Sequence, residues 1–377
     1  MARSGIVYWD ATGSILSHRD DKFKYYYYEL ACSNPVKGQP AIPVSSLISS
    51  LHSTSLVRFW IAEFRRAEKK LFGHANASIP HQVNSDRSMA FIQAALSEFN
   101  NEDLNAFRTR AFRIISGCAE DGDIHGIFTH ACLSHVMASF RKTALECYKS
   151  NYEFGMYCFS VLLNSSKLAD VEEILHAIYY VLSSKVLDDK PNQYLELLQS
   201  KIATFGLEVT NLNDMCTDSI YSGDDEFMEM FTETQNPNYF TEQDFQTRST
   251  RNEFANFGNS ILKSVRQEIN KQFFIEVPGN KRYSKILLEK IQNLYLPTLP
   301  LWSNLLLGDL SRHGTSDVYS NCRLHLLERG ITKIEKRFQI LKKYRLRRTN
   351  HKAVGRTFRE NQRARDSCSR PCCFKIS

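Results

Sequence analysis

The chain changes character near Asn100, and that change bounds what it can fold into. Before this point β-rich runs alternate with helical patterns; beyond it helical spacing takes over almost completely. Residues 5–9 form a short β-rich run ending at Asp10, and Ala11-Thr12-Gly13 reads as the turn that follows. Residues 22–32 (KFKYYYYELAC) form a second run, so the two are expected to be neighbouring antiparallel strands. From 46 to 72, Leu47, Leu51, Leu56, Phe59, Trp60 and Phe64 recur at helical spacing with Arg58, Arg65 and Arg66 among them, which predicts an amphipathic helix. Residues 79–85 are extended and end at Asp86, and 88–99 predict the next helix. The order strand, strand, helix, strand, helix predicts an α/β layered domain with at least one crossover connection.

Later helices are expected at 102–116, 132–149, 152–164, 168–184 and 193–205. Residues 211–251 are rich in Asn, Thr, Asp and Glu and hold Asp224, Asp225, Glu226, Glu229 and Glu233, the composition of a loop or weakly ordered stretch. Residues 331–348 place Ile334, Phe338 and Leu341 on one face of a final helix whose outer side is strongly basic. The tyrosines from Tyr25 to Tyr28 alternate between sheet faces, so two rings should pack inward and two should be exposed.

With 42% apolar and 12% aromatic residues, a chain of 377 residues can bury one large core or two moderate ones. Its longest apolar stretches fall short of the roughly 20 residues of a membrane span, and the N-terminus lacks the pattern of a secretory signal. No membrane partner is expected, and the protein is expected inside the cell. Ten scattered cysteines fit reduced thiols. Cys368, Cys372 and Cys373 lie close together without a second His or Cys pair at zinc-finger spacing. The net charge of +7 is concentrated in one arm: residues 336–377 hold 14 Lys and Arg against Glu360 and Asp366, leaving 34 bases and 39 acids elsewhere. Such an arm is either a nucleic-acid or nuclear-import contact or a solvated tail.

Asp10 and Asp86 each end a β-rich run, and on neighbouring strands their carboxylates would approach one another. Paired oxygen ligands hold magnesium or manganese, and two such ions can activate water and stabilise a leaving oxygen in phosphodiester chemistry. Strand-terminal aspartates also serve as turn formers and helix caps. His125, His130, Cys132 and His135 could ligate zinc, with a buried thiol and hydrogen-bonded imidazoles as the plainer reading. Trp302, in the apolar segment 299–309, reads as core, with stacking on a flipped base as the alternative. No phosphate-binding glycine loop, Gly-x-Ser-x-Gly elbow or His-Glu-x-x-His is present, which argues against nucleotide-dependent enzymes, α/β-hydrolases and zinc proteases.

Four segments in order resemble Mutator-like element transposases: Gly5-Ile6-Val7-Tyr8-Trp9-Asp10-Ala11-Thr12-Gly13; Pro80-His81-Gln82-Val83-Asn84-Ser85-Asp86; Ile127 to His135, with its Cys-x-x-His; and Thr332-Lys333-Ile334-Glu335-Lys336-Arg337-Phe338. The resemblance covers residues 5–343. It implies a ribonuclease-H-like mixed sheet flanked by helices, with a large mainly helical insertion. The core would comprise 1–100 and 301–348, the insertion 101–300 and a basic tail 349–377.

By the same resemblance, Asp10, Asp86 and Glu335 would bind Mg2+ or Mn2+ for DNA strand cleavage and transfer, and Cys132 and His135 would form a structural pair. Asp309, Asp317 and Glu328 are rivals to Glu335, and Lys333 stands where a small or polar residue is expected. The partners would be DNA, as terminal inverted repeats and target, in the nucleus, with a homo-oligomer possible in such systems. Lys342, Lys343, Arg345, Arg347 and Arg348 would contact DNA. The family's N-terminal DNA-binding region would precede Met1, so the chain is expected to be a fragment. A second reading is a catalytically inactive, transposon-derived DNA- or protein-binding protein; a third is an all-helical interaction protein.

Overall fold

The computed structural model describes residues 5–13, 25–34, 36, 39–73, 79–186, 189–204, 252–270, 279–315 and 329–341. The chain divides into two units: residues 1–101, 127–129 and 330–377 form the first, and 102–126 and 130–329 the second.

The first unit is built on a mixed sheet of five strands in the order β3-β2-β1-β4-β5. These are β1 (Ile6–Thr12), β2 (Tyr26–Cys32), β3 (Ile42–Ser49), β4 (Gln82–Ser85) and β5 (Phe128–Ala131). β1 pairs antiparallel with β2 and β2 antiparallel with β3, whereas β1 and β4 are parallel. The antiparallel neighbours and the crossover expected from the sequence are therefore both present. So is the mixed α/β architecture, which removes the all-helical reading.

Helices cover both faces of the sheet. Helix α1 (Thr54–Phe72) and helix α2 (Met89–Ala95), which continues as a π-helical turn over Leu96–Asn100, lie on one side. There Val7, Trp9, Tyr26, Tyr28, Leu30 and Val83 pack with Val57, Trp60, Ile61, Phe91, Ala94 and Ala95. The alternate residues, Tyr8, Asp10, Tyr27 and Glu29, face the other way. The last described helix, Thr332–Ile340, lies over that side: Phe338 meets Tyr27 edge-on and Lys333 sits over the Tyr8 ring.

Two expectations need correction here. Residues 46–49 belong to β3, not to the helix expected over 46–72. The helix starts at Thr54, where the Ser53 hydroxyl accepts the Leu56 N–H. Tyr26, Tyr27 and Tyr28 are all buried, because a two-faced sheet leaves no solvent side for a ring to reach. Tyr25 sits just before β2.

The second unit is helical, with α3 (Leu104–Ile115), α4 (Leu133–Cys147), α5 (Tyr152–Asn164), α6 (Leu168–Ser183), α7 (Asp189–Thr204), α8 (Glu253–Asn270) and α9 (Lys285–Lys290). The helix over Thr332–Ile340 is α10. The apolar spacing read along 102–205 thus matches real helices. Aromatic rings organise this core: Phe140 stacks on Phe159 at 4.0 Å, and Trp302 stacks on Phe159 at 4.7 Å. Trp302 also donates its indole N–H to the Tyr295 carbonyl and is buried, so it is a core residue with no face open to a base. Among the described residues no helix is long and apolar enough to cross a membrane.

Candidate active site

The relation between β1 and β4 defines the site. Their parallel register pairs Ile6 with Gln82, Val7 with Val83 and Tyr8 with Asn84. The ladder ends there; carried on by two residues, the same register would set Asp10 level with Asp86, which follows the last residue of β4. Neighbouring strands lie about 4.8 Å apart, so on that extension the backbones of the two residues would stand side by side near the carboxyl ends of adjacent parallel strands. That edge is where open α/β sheets commonly bind ligands.

Both carboxylates are also held by their own backbone. Asp10 Oδ1 accepts the Ala11 N–H at 2.7 Å, and Asp86 Oδ1 accepts the Ser88 N–H at 3.0 Å. Asp86 thereby shapes the entry to α2, one of the turn-forming roles expected of such residues. Ser88 in turn approaches His52 Nε2 at 3.0 Å, and His52 Nδ1 lies 2.9 Å from the Tyr28 hydroxyl. The Tyr28 hydroxyl also donates to the Leu51 carbonyl at 2.8 Å. Burial lowers the His52 pKa, and the nearby Asp86 charge opposes that shift. Burial raises the Tyr28 hydroxyl, helped by Tyr26 and Asp86.

Across the sheet from Asp10 is an acid that the sequence reading missed. Glu29 is the register partner of Asp10 and is fully buried. Arg337 of α10 forms an ion pair with one of its oxygens, and the Tyr27 hydroxyl donates to the other at 2.7 Å. The one signal for it was an acid set within a run of β-forming aromatics, a place where a charge needs a partner.

Helix α10 carries Glu335 over this same face. Lys333 reaches Ser33 at 3.2 Å and the Tyr8 hydroxyl at 3.5 Å, while Arg337 reaches Glu29, which is level with Asp10. Four residues of helix rise about 6 Å and two of strand about 6.6 Å, so α10 runs alongside β1 in the same sense. Glu335 falls between the levels of Tyr8 and Asp10. It is about 200° from Lys333 around the helix, on the flank that looks away from β2. Of the rivals for the third acid, Asp309 is exposed in the second unit and caps a short 3-10 turn through the Ser311 N–H and hydroxyl; Asp317 and Glu328 lie outside the described residues.

In the second unit, Cys132 ends the segment after β5 and His135 lies in the first turn of α4. Their ligand atoms are within 4.8 Å of each other, as three-residue helical spacing predicts. His130 is fully buried, which drives its pKa down to about 4 against the backbone contact at Ser303. His125 lies in an exposed turn. Lys342, Lys343, Arg345, Arg347 and Arg348, the acidic stretch 211–251 and the tail cysteines lie outside the described residues. The chain matches no protein-family model, and no curated protein matches it.

Proposed function

We propose that the first unit is a metal-dependent DNA strand-cleavage and strand-transfer core of the Mutator-like transposase kind, with a ribonuclease-H-like sheet and the second unit as its helical insertion. The observation that carries this reading is the parallel pairing of β1 with β4, whose register, extended by two residues, would bring Asp10 level with Asp86. Glu335, from the helix that lies over the sheet face bearing Asp10, is the third carboxylate of the proposal. The three carboxylates would hold Mg2+ or Mn2+, hard cations suited to oxygen ligands, and those ions would supply the activation of water and the stabilisation of the leaving oxygen. In this reading Arg337 neutralises Glu29, so the buried acid beside Asp10 adds no further negative charge to the site. Cys132 and His135 would be two ligands of a structural ion or a hydrogen-bonded pair in the second unit. The partners would be inverted-repeat and target DNA in the nucleus, bound by single chains or by a homo-oligomer, with the arm after 341 as a further DNA contact.

The test is Mn2+ binding by the full chain, followed by electron paramagnetic resonance, together with nicking of supercoiled and inverted-repeat DNA. Asp10→Asn and Glu335→Gln are each expected to weaken Mn2+ binding at least tenfold and to abolish nicking. Unchanged Mn2+ affinity in Asp10→Asn would overturn the assignment.

One observation favours a second reading, a non-catalytic DNA-binding descendant: both aspartates already accept from nearby backbone N–H groups, a role that needs no metal. Salt-sensitive DNA binding without cleavage in either metal would select it.

A further inference from the structure

We infer that the outer face of α1 is a binding surface for single-stranded nucleic acid. The inference rests on the DNA-directed reading above only for its context, since the surface is distinct from the carboxylate edge and its chemistry needs no metal. Helix α1 buries Val57, Trp60, Ile61 and Glu68 on one side. Its opposite side carries Phe59, Arg66 and Lys70 in one line, with Arg58 and Lys69 beside it; at 100° per residue these five span roughly a third of the circumference. Phe59 is 64% exposed in the middle of a polar helix face, where packing gives no reason for an aromatic ring.

The charge on the helix is one-sided. Five bases, Arg58, Arg65, Arg66, Lys69 and Lys70, stand against Glu63 and Glu68, and Glu68 is buried. Arg58 is paired with Glu98, Arg66 with Glu63, and Arg65 sits 4.9 Å over the Phe99 ring. Lys69 and Lys70 form no ion pair among the described residues. The last turn adds exposed Leu71 and Phe72 next to these lysines.

Cations interleaved with an accessible aromatic ring complement a polyanion that also offers flat π-faces. Single strands have both, because their bases can unstack onto a protein ring while the phosphates contact the cations. A duplex keeps its base faces stacked inside and would use only the cations. This distinction selects a single strand as the occupant.

Fluorescence anisotropy with the full chain and labelled oligonucleotides, in EDTA, tests the proposal independently of the metal site; Asp10→Asn serves as a parallel background. Phe59→Ala is expected to weaken single-strand binding about tenfold, the scale of one lost base stack, and to leave duplex binding unchanged. Arg66→Glu with Lys70→Glu should weaken both and flatten the salt dependence by about two charges. All three side chains are exposed, so circular dichroism melting should be unaffected. Equal effects of Phe59→Ala on single and double strands, or no effect of either variant, would overturn the proposal and place oligonucleotide binding elsewhere. Binding to anionic vesicles that these variants abolish, with no effect on oligonucleotides, would equally overturn it. Loss of metal-dependent nicking in Asp10→Asn with single-strand affinity intact would show that this surface and the carboxylate site stand or fall separately.

Discussion

Arg337 and Glu29 form an ion pair at the middle of the sheet, with 9% and 0% of their side chains exposed. It fastens α10, the last described helix, to β2. Removing one partner strands the other as a buried charge, which typically costs 3–5 kcal/mol, whereas replacing both with apolar groups of similar volume is often neutral. Arg337→Ala is therefore expected to lose about 4 kcal/mol in urea unfolding, and Glu29→Leu with Arg337→Met to recover most of it. Equal losses in the single and double variants would show that the pair contributes through packing alone.

Asp86 offers a way to separate turn formation from metal binding. Asp86→Asn keeps an oxygen for the Ser88 N–H, while Asp86→Ala removes it. The alanine variant should lose about 1 kcal/mol and the asparagine variant a few tenths. Both should lose Mn2+ binding alike, so the two variants separate in unfolding curves and coincide in metal titration.

His130 makes the second unit sensitive to acid. Its pKa falls from the ordinary 6.5 to about 4 in the folded protein, because burial disfavours the charged ring. Below pH 6.5 the unfolded chain takes up a proton that the folded one refuses, so stability is full above that pH and falls until about pH 4, below which both states are protonated. The loss is on the order of 3 kcal/mol across this window. Urea midpoints of the wild type and His130→Gln, followed from pH 7.5 to 4, should converge as the pH drops. His52, His81 and His313 are shifted in the same direction and cancel in that difference.

Gly258 in α8 is held to glycine by packing. A Cβ there would lie 2.0 Å from Leu296 Cδ2 and 2.8 Å from Gln292 Oε1, and Gln292 is the acceptor for the buried Tyr179 hydroxyl. Alanine gains up to about 1 kcal/mol in helix propensity, yet overpacking typically costs 1–3 kcal/mol. Gly258→Ala is expected to lower the melting temperature; a rise would mean that Leu296 yields freely.

What could be read from the sequence followed local chemistry. Asp86 was legible because it follows a β-rich run, and the helices from 102 to 205 because long apolar periodicity resists misreading; Asp10 was read as the end of its run, but β1 continues through Ala11 and Thr12, which pair with Tyr28 and Tyr27 instead of turning. β3 was not. Its serines at 45, 46 and 49 weaken the strand signal, and Leu47 and Leu51 happen to fit the helical spacing of the segment behind them. β5 has only four residues, and its place is set by tertiary pairing, with the Phe128 N–H on the His81 carbonyl. The tyrosine run misled because period-2 reading assumes one wet face, whereas the cover on Tyr27 comes from Phe338, more than 300 positions later. The partnership of Glu29 with Arg337 escaped for the same reason: nothing near either residue announces the other.

The first unit is assembled from chain segments that are far apart in time as well as in sequence. On a ribosome adding roughly 5–20 residues each second, the strands β1 to β4 are complete tens of seconds before α10 exists. Through that interval Tyr8, Tyr27 and Glu29 wait without the cover that α10 gives them. Any messenger cut short before residue 330 yields a protein whose Glu29 lacks its Arg337 partner and whose Tyr27 lacks Phe338.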